Sequence, residues 1–365
     1  MRYDPVYNIW VSVSEKRNMR PQDFAKPAHA PMSESAPCAI DPHCPFCEGN
    51  ERETPLERDA IPKIPREDLE AMPFEEKTLD NYRRPNAPGW LVRAVPNRYP
   101  FVEPDSEMTL QHIGPYYSMP NVGIQEVIVD VPYHATRLGQ LNAEEFQYLI
   151  HFYHRRMHQL RKSYRWRYAH LFKNQGSEAG ASLSHIHTQL VGLPFVPRSV
   201  EYEGGFLRKY QAENGHCYHC MVKEYEMRER WRFVAQTEYL SAFCPFASRF
   251  VGEVHILPRR HVPCFVQSTR EELDDLAVLF RHIVLRLEKV LPTPDYNVVL
   301  RSSPWNNVRG ELVPDEHFHW RLEILPRTTK LAGYELGTGY YINPVSPERA
   351  AMAICGKGED FRLME

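Results

Sequence analysis

His185-Ile186-His187-Thr188-Gln189 in the first half of the chain and His319-Trp320-Arg321-Leu322-Glu323 in the second can be laid over one another. Working outward from each pentad, the same succession of patterns occurs twice. Ahead of the first lie Cys44-Pro45-Phe46-Cys47, strand-like runs over residues 90–95 and 125–131, Pro132-Tyr133-His134, a helical pattern over 142–161 and a strand over 169–173. Ahead of the second lie Cys217-Tyr218-His219-Cys220, strand-like runs over 233–243 and 253–257, Pro258-Arg259-Arg260-His261, a helical pattern over 269–291 and a strand over 297–301. Both helical patterns open on a capping signal, Asn142 with Glu145 and Thr269 with Glu272. In each half a glutamate opens the strand and a histidine follows eight positions later, Glu126 to His134 and Glu253 to His261. Self-similarity on this scale predicts a duplicated α+β unit, divided as residues 1–198 and 199–365. Residues 6–13 alternate like a single strand, and 21–89 read as a surface excursion apart from the cysteine pair.

Composition sets limits on this reading. The 365 residues suffice for two units of ordinary domain size, about 100–200 each. Hydrophobic residues at 42% and charged residues at 25% exclude wholesale disorder, collagen and coiled coil. A net charge of −3 provides no bulk attraction for nucleic acid or an anionic membrane, so neither is an expected partner. No apolar run approaches the roughly 20 residues of a membrane span, and Met1-Arg2-Tyr3-Asp4-Pro5 lacks a signal-peptide core, so a cytoplasmic location is expected. The 31 prolines argue against a fold made mainly of long helices, because an interior proline costs a helix about 3 kcal/mol.

In a cytoplasmic chain of this size, eight cysteines read first as metal ligands or free thiols. Two C-x-x-C pairs in a chain with 17 histidines favour zinc, since that spacing lets two thiolates of one turn share an ion. Overlaying the halves yields two sets in the same order: Cys44, Cys47, His134, His185 and Cys217, Cys220, His261, His319. Each Cys₂His₂ set closes a tetrahedron and leaves no position for water, which predicts two structural zinc ions. Cys38, Cys244, Cys264 and Cys355 read as packing residues.

The pentads differ where chemistry is concerned. On a strand, positions 185, 187 and 189 share a face, so His185 can hold metal while His187 points to the same side beside Gln189. A neutral imidazole, with a reference pKa of about 6.5, can attack phosphorus at neutral pH. Arg321 occupies the matching place in the second half and cannot do so, which predicts a catalytically silent second unit.

His-x-His-x-Gln, preceded by Asn174 and the loop bearing Gly180 and Ser182, resembles the histidine-triad superfamily, specifically its galactose-1-phosphate uridylyltransferase branch. The resemblance extends over nearly the whole chain. Arg17-Asn18-Met19-Arg20-Pro21 is similar to the R-x-x-R-P that the family places on phosphates. Asn97 matches the segment lining the nucleotide pocket, and Gly333-Tyr334-Glu335 the hexose-binding G-Y-E. The resemblance implies a mainly antiparallel half-barrel sheet with helices outside. It also implies ping-pong transfer of a uridylyl group from UDP-glucose to galactose 1-phosphate through nucleotidyl-His187, and a homodimer. Arg17, Arg20, Gln189 and donors around Ser182 would stabilise the phosphoryl oxygens.

Departures from the pattern are Ile186 for the usual proline, Ala181 for a frequent cysteine, and Glu323 and Leu325 where some relatives have metal-binding histidines. The second Cys₂His₂ set, with residues 334–339 and 341–344, looks like the ADP-glucose phosphorylase branch, which gives an adenylyl group to phosphate through the same intermediate. Other readings are a dinucleoside-polyphosphate hydrolase or phosphorylase, which should lack the Tyr334-Glu335 motif, and a zinc-stabilised binding protein without catalysis. The identity of the base is not legible.

Overall fold

A computed structural model describes residues 1–15, 39–64, 84–163, 165–308 and 311–356. Arg17, Arg20 and Cys38 lie outside the described residues. Among the described residues, no helix is long and apolar enough to cross a membrane.

In chain order, β1 (Arg2–Asp4) and β2 (Ile9–Val13) form a hairpin, followed by β3 (Asp59–Pro62), β4 (Trp90–Pro96), the small hairpin β5 (Gln111–Ile113) and β6 (Tyr116–Ser118), and β7 (Ile124–Val129). Helix α1 (Ala143–Arg161), β8 (Tyr168–Gln175) and β9 (His187–Leu193) complete the first half. The second half contains α2 (Arg198–Asn214), α3 (Tyr218–Glu229), β10 (Phe233–Gln236), β11 (Leu240–Phe243), β12 (Val254–Pro258), α4 (Arg270–Val290) and β13 (Tyr296–Arg301). The hairpin β14 (Trp305–Val308) and β15 (Glu311–Pro314), then β16 (Arg321–Pro326), α5 (Gly333–Thr338), β17 (Tyr341–Asn343) and α6 (Pro347–Ile354) follow.

Ten strands build one open antiparallel sheet in the order β10-β11-β12-β16-β13-β8-β9-β7-β4-β3. Read inward from its two edges, the sheet is a palindrome: β3, β4, β7, β9, β8 from one side and β10, β11, β12, β16, β13 from the other. The fold is α+β, as the sequence predicts, and the two halves meet where β8 pairs with β13.

The two long helices cover one face. Asn142 and Thr269 cap them, each in a reciprocal capping box that satisfies otherwise orphaned backbone N–H groups. Their apolar stripes meet, with Phe146 edge-on to Phe280 at 5.6 Å, and bury alternate residues of the strands, including Ile128, Leu171, Leu190, Ile256, Leu300 and Ile324. Buried ion pairs add direction: Arg156 of α1 grips Glu126 of β7 at 2.8 Å, and Arg155 holds Asp59 of β3. Strand alternation turns His187, Gln189, Arg321 and Glu323 to the opposite face, away from these helices.

Several elements differ from the sequence reading. Residues 6–13 are not one strand, because the chain reverses through Pro5–Asn8, with Asn8 at a left-handed φ of 53°. Residues 233–243 split into the hairpin β10–β11. Helices α2 and α3 have no counterpart in the patterns above, since their hydrophobic faces are short and many of their residues are exposed. His185 and His319 lie two residues ahead of β9 and β16 rather than on them. The glutamates Glu126 and Glu253 do not correspond. Val127 pairs with Gln189 whereas His255 pairs with Glu323, so Glu126 turns toward α1 while Glu253 turns to the other face and binds Arg249 and His255.

Candidate active site and metal centres

β9 presents His187 as a buried side chain, 7% exposed. Its Nδ1 lies 2.9 Å from the carbonyl oxygen of His185. A carbonyl can only accept, so Nδ1 carries the proton and Nε2 keeps its lone pair. Burial pushes the ring's pKa below its ordinary 6.5, opposed by that hydrogen bond, with Lys173 lowering it further. The ring is therefore neutral at pH 7. Phe46, inside the first C-x-x-C turn, packs edge-on against it at 5.3 Å.

Behind the strand, Lys173 pairs with Asp130 and donates to the His187 carbonyl at 3.0 Å. Asp130 also accepts from Thr188 Oγ1 at 3.1 Å, and Tyr153 of α1 closes the network on Thr188. The His187 backbone is thus fixed by buried polar groups that are mutually satisfied.

Gln189 follows on the same face, its Oε1 accepting from Gln125 Nε2 at 2.8 Å. Gln125 also holds the Asn97 segment: its backbone oxygen accepts from Asn97 N at 2.9 Å, and its Oε1 from Phe101 N at 3.1 Å. Asn174 stands one step beyond the Lys173–Thr188 pair, across from His187, and its Oδ1 accepts from Asn297 Nδ2 at 2.9 Å. That bond leaves the Asn174 amide hydrogens for a ligand.

The loop carrying Gly180 and Ser182 is pinned at three points. Asn297 donates to Ala179 O at 2.8 Å, Glu178 N donates to Asp295 Oδ2 at 2.8 Å, and Lys330 reaches Glu178 at 3.2 Å. Gly176 adopts a φ of 83°, where a Cβ would strike the Asp295 carboxylate at 2.2 Å, so only glycine fits. Gly180 also has positive φ, 84°, and Ser182 is exposed. Tyr334 and Glu335 stand on the short helix α5, where Glu335 Oε2 accepts from Ala332 N at 3.0 Å. Among the described residues, no hydrogen bond or ring contact ties them to His187. Gln125, Asn297, Asp295 and the Lys173–Asp130 pair were not singled out from sequence, because each acts through a partner distant along the chain.

Both Cys₂His₂ sets assemble, with all four ligand atoms of each within 4.8 Å of one another. In the first, Sγ to Nδ1 separations are 3.4 Å for Cys44–His185, 3.6 Å for Cys47–His185 and 3.7 Å for Cys47–His134. In the second they are 3.4 Å for Cys220–His319 and 3.7 Å for Cys220–His261. Metal bonds of about 2.3 Å to sulfur and about 2.0–2.1 Å to nitrogen, set at a tetrahedral angle, require an S···N distance of about 3.6 Å. Every histidine offers Nδ1 to the site. His185, His319 and His261 direct Nε2–H to the carbonyls of Val131, Pro258 and Glu316 at 3.0, 2.9 and 2.8 Å, and His134 Nε2 meets Ser184 Oγ at 3.1 Å. Such outer partners fix the tautomer that a metal needs.

A profile of the family described as "Domain of unknown function (DUF4921)", whose members resemble galactose-1-phosphate uridylyltransferase, matches residues 133–359, more than half of the chain. The chain belongs to that family. This uridylyltransferase-like protein is 29% identical to an ADP-glucose phosphorylase of Arabidopsis thaliana, covering 96% of this chain and 91% of that one. It is 29% identical to a galactose-1-phosphate uridylyltransferase of Thermotoga maritima, covering 96% of each. Among solved structures, an ADP-glucose phosphorylase from Arabidopsis thaliana with bound ADP-glucose superposes with a TM-score of 0.75 at 28% identity, over 97% of both chains. A uridylyltransferase superposes with a TM-score of 0.68 at 27% identity, over 98% of this chain and 97% of that one. The chain is an enzyme of this nucleotidyltransferase and phosphorylase class.

Proposed function

We propose that the chain transfers a nucleotidyl group from a nucleotide sugar through a covalent nucleotidyl-His187. The observation that carries this reading is the orientation of the His187 ring, with Nδ1–H held on the His185 carbonyl and Nε2 left as the nucleophile. Nε2 attacks the α-phosphorus, the P–N bond forms, and the P–O bond to the hexose 1-phosphate breaks. The ring gains positive charge in this step, and the His185 carbonyl stabilises it through the hydrogen bond it already accepts. In the second step an acceptor phosphate oxygen displaces the ring and restores free His187. Gln189, Asn174 and the backbone around Gly180 and Ser182 are the donors for the phosphoryl oxygens, and Arg17 and Arg20 the cations. Asn97 lines the nucleotide pocket, and Tyr334 and Glu335 contact the hexose.

The first reading of the substrates is uridylyl transfer from UDP-glucose to galactose 1-phosphate. The second, adenylyl transfer from ADP-glucose to phosphate, is favoured by the second assembled Cys₂His₂ set and by the extent of the likeness to ADP-glucose phosphorylase. Both sets hold zinc. They are structural, since each offers four protein ligands, and they clamp the two C-x-x-C segments to the sheet. The catalytic unit is residues 1–198 and the silent one 199–365, and the enzyme is a cytoplasmic homodimer. The β5–β6 hairpin supports the dimer. Its strands are fully exposed and carry Ile113, Tyr116 and Tyr117, and a lone two-stranded ribbon is marginal in water.

A half-reaction panel decides between the substrates. The protein is mixed with UDP-glucose or ADP-glucose, the adduct on His187 is read by mass, and phosphate or galactose 1-phosphate is then added. A uridylyl adduct discharged by galactose 1-phosphate supports the first reading, and an adenylyl adduct discharged by phosphate supports the second. No adduct from either donor defeats the covalent route.

A further inference from the structure

Behind His187 the sheet carries an ion pair that the second half lacks. The side chains of Lys173 and Asp130 are 2% and 0% exposed, and Asp130 has no other cation at ion-pair distance among the described residues. The strand register locates the matching places. Lys173 lies opposite Thr188 across β8 and β9, as Leu300 lies opposite Leu322 across β13 and β16. Asp130 follows Val129, the residue opposite His187, as Pro258 follows Leu257 on the strand beside Arg321. The counterparts of the pair are thus apolar, and Leu300 and Leu322 are buried in the main hydrophobic core.

A buried ion pair seldom stabilises a fold more than apolar residues of like volume, because both charges lose their hydration. The second half shows that this frame closes over leucines. The sheet therefore does not require the pair, and its placement points to chemistry. It is polarised: Lys173 Nζ donates to the His187 carbonyl at 3.0 Å, whereas Asp130 turns to Thr188 Oγ1 at 3.1 Å and to Tyr153. Of the two charges, the one that touches His187 is positive. A neutral lysine would leave Asp130 an unpaired carboxylate in the interior, so the pair is held in its charged form.

We propose that Lys173 is a positioning residue whose ammonium also destabilises the nucleotidyl-His187 adduct, so that the ring leaves phosphorus readily in the second step. The inference rests on the covalent reading above. With Nδ1–H retained and phosphorus on Nε2, the adduct ring carries one positive charge, and a like charge held behind it in the low-dielectric interior raises its free energy. In capture the P–N bond forms as the P–O bond to the hexose 1-phosphate breaks. In discharge an acceptor oxygen bonds to phosphorus and the P–N electron pair returns to Nε2. Lys173 neither gives nor takes a proton in either step. An adduct left too stable would hold the enzyme between its two steps, and the ammonium opposes that.

Equilibrium separates charge from placement. Misalignment of Nε2 raises the barrier in both directions alike and leaves the ratio of adduct to free enzyme unchanged, whereas charge alters the ratio itself. The protein is equilibrated with the donor that labels it, UDP-glucose or ADP-glucose, and with glucose 1-phosphate, which both donors release, and the adduct fraction is read by intact mass. Lys173→Met combined with Asp130→Asn, which removes both charges, should raise the ratio at least about fivefold, with slower discharge by glucose 1-phosphate. Tyr153→Phe, which loosens the same network with both charges kept, should leave the ratio within about twofold whatever it does to the rates. A ratio unchanged or lowered in the folded double variant overturns the proposal, and so does an equal rise in Tyr153→Phe. A double variant that cannot fold by circular dichroism overturns it too, because the pair would then be needed by the sheet. Wild type that forms no adduct with either donor defeats the covalent reading and this inference with it, whereas adduct in wild type with an unchanged ratio in the double variant defeats this inference alone.

Discussion

The two halves of the sheet place different residues on one backbone frame. In the first, the row across the strands is His187, Asn174, Asn297, all uncharged, with Nε2 of His187 and the amide of Asn174 left open. In the second, the row is Arg321, Arg301 and His170, with Arg321 and Arg301 paired across β13 and β16. There each nitrogen of Arg321 donates, to Glu203, Glu323 and Tyr7, and the guanidinium groups of Arg249, Arg301 and Arg321 gather around the Tyr7 ring. A reactive position needs a neighbour that fixes it without consuming its lone pair. In the proposed reaction the first half supplies that with one carbonyl, whereas the matching place in the second half is taken by a buried ion cluster.

The contrast is broken most directly at its centre. His187→Ala should lower covalent nucleotide capture by at least about a thousandfold, roughly 4 kcal/mol, with folding intact. Arg321→Ala should leave capture within a few-fold in the fraction that folds, and complete loss in folded protein would mean that the second half takes part. Nucleotidyl-protein mass and circular dichroism on the same samples separate these outcomes.

The metal sets sharpen the comparison next. Elemental analysis should find two zinc ions per chain, and chelation should lower the melting temperature before it lowers capture by protein still folded. Cys44→Ser should impair capture more than Cys217→Ser, because Phe46 of the first turn packs on His187 and its counterpart His219 packs on Arg321. Equal loss in both variants would make the two sets one cooperative unit.

Arg321→Ala should also cost stability, about 3 kcal/mol, by removing the shared partner of buried Glu203 and Glu323 and leaving His219 for the one and Arg249, Arg301 and Tyr7 for the other. Urea midpoints against wild type give the value. The same cluster sets an acid limit. Burial raises the Glu203 carboxyl, but Arg321, His219 and Arg301 together outweigh it and hold the pKa at about 2, below its ordinary 4.5. The contribution is therefore complete above about pH 4.5 and lost as pH falls toward 2. His170 acts in the same direction, its pKa lowered by burial to about 4 from 6.5, so the folded state loses stability as pH falls from 6.5 toward 4. Urea midpoints measured at stepped pH should fall through both windows, and Arg321→Ala should flatten the lower one.

The smallest expected effect belongs to Asn297→Ala. It frees Asn174 and the Ala179 carbonyl, and should slow capture about tenfold, roughly 1.4 kcal/mol, with little change in the urea midpoint. Unchanged capture kinetics would remove Asn297 from the positioning network.

Local chemistry wrote much of this protein into its sequence. Capping residues at Asn142 and Thr269 fixed the starts of both long helices, because their side chains satisfy N–H groups only a turn away. Paired spacing of cysteines and histidines specified both four-residue sets, since ligand type and order survive duplication even when surrounding residues drift. Tertiary structure alone decided the rest. The matched glutamates at 126 and 253 share a sequence interval but not a face, because one residue of register turns a side chain through the sheet. Gln125, Asn297 and Asp295 reach the candidate site only through partners 64, 123 and 117 positions away. The β1–β2 hairpin pairs with β17, some 330 residues later, and lays Tyr7 on Arg321, so that the first hairpin packs against the second half of the sheet. Sequence intervals record what a residue can do with its neighbours in the chain. Which neighbour it meets across the sheet depends on a palindromic strand order that only the folded chain displays.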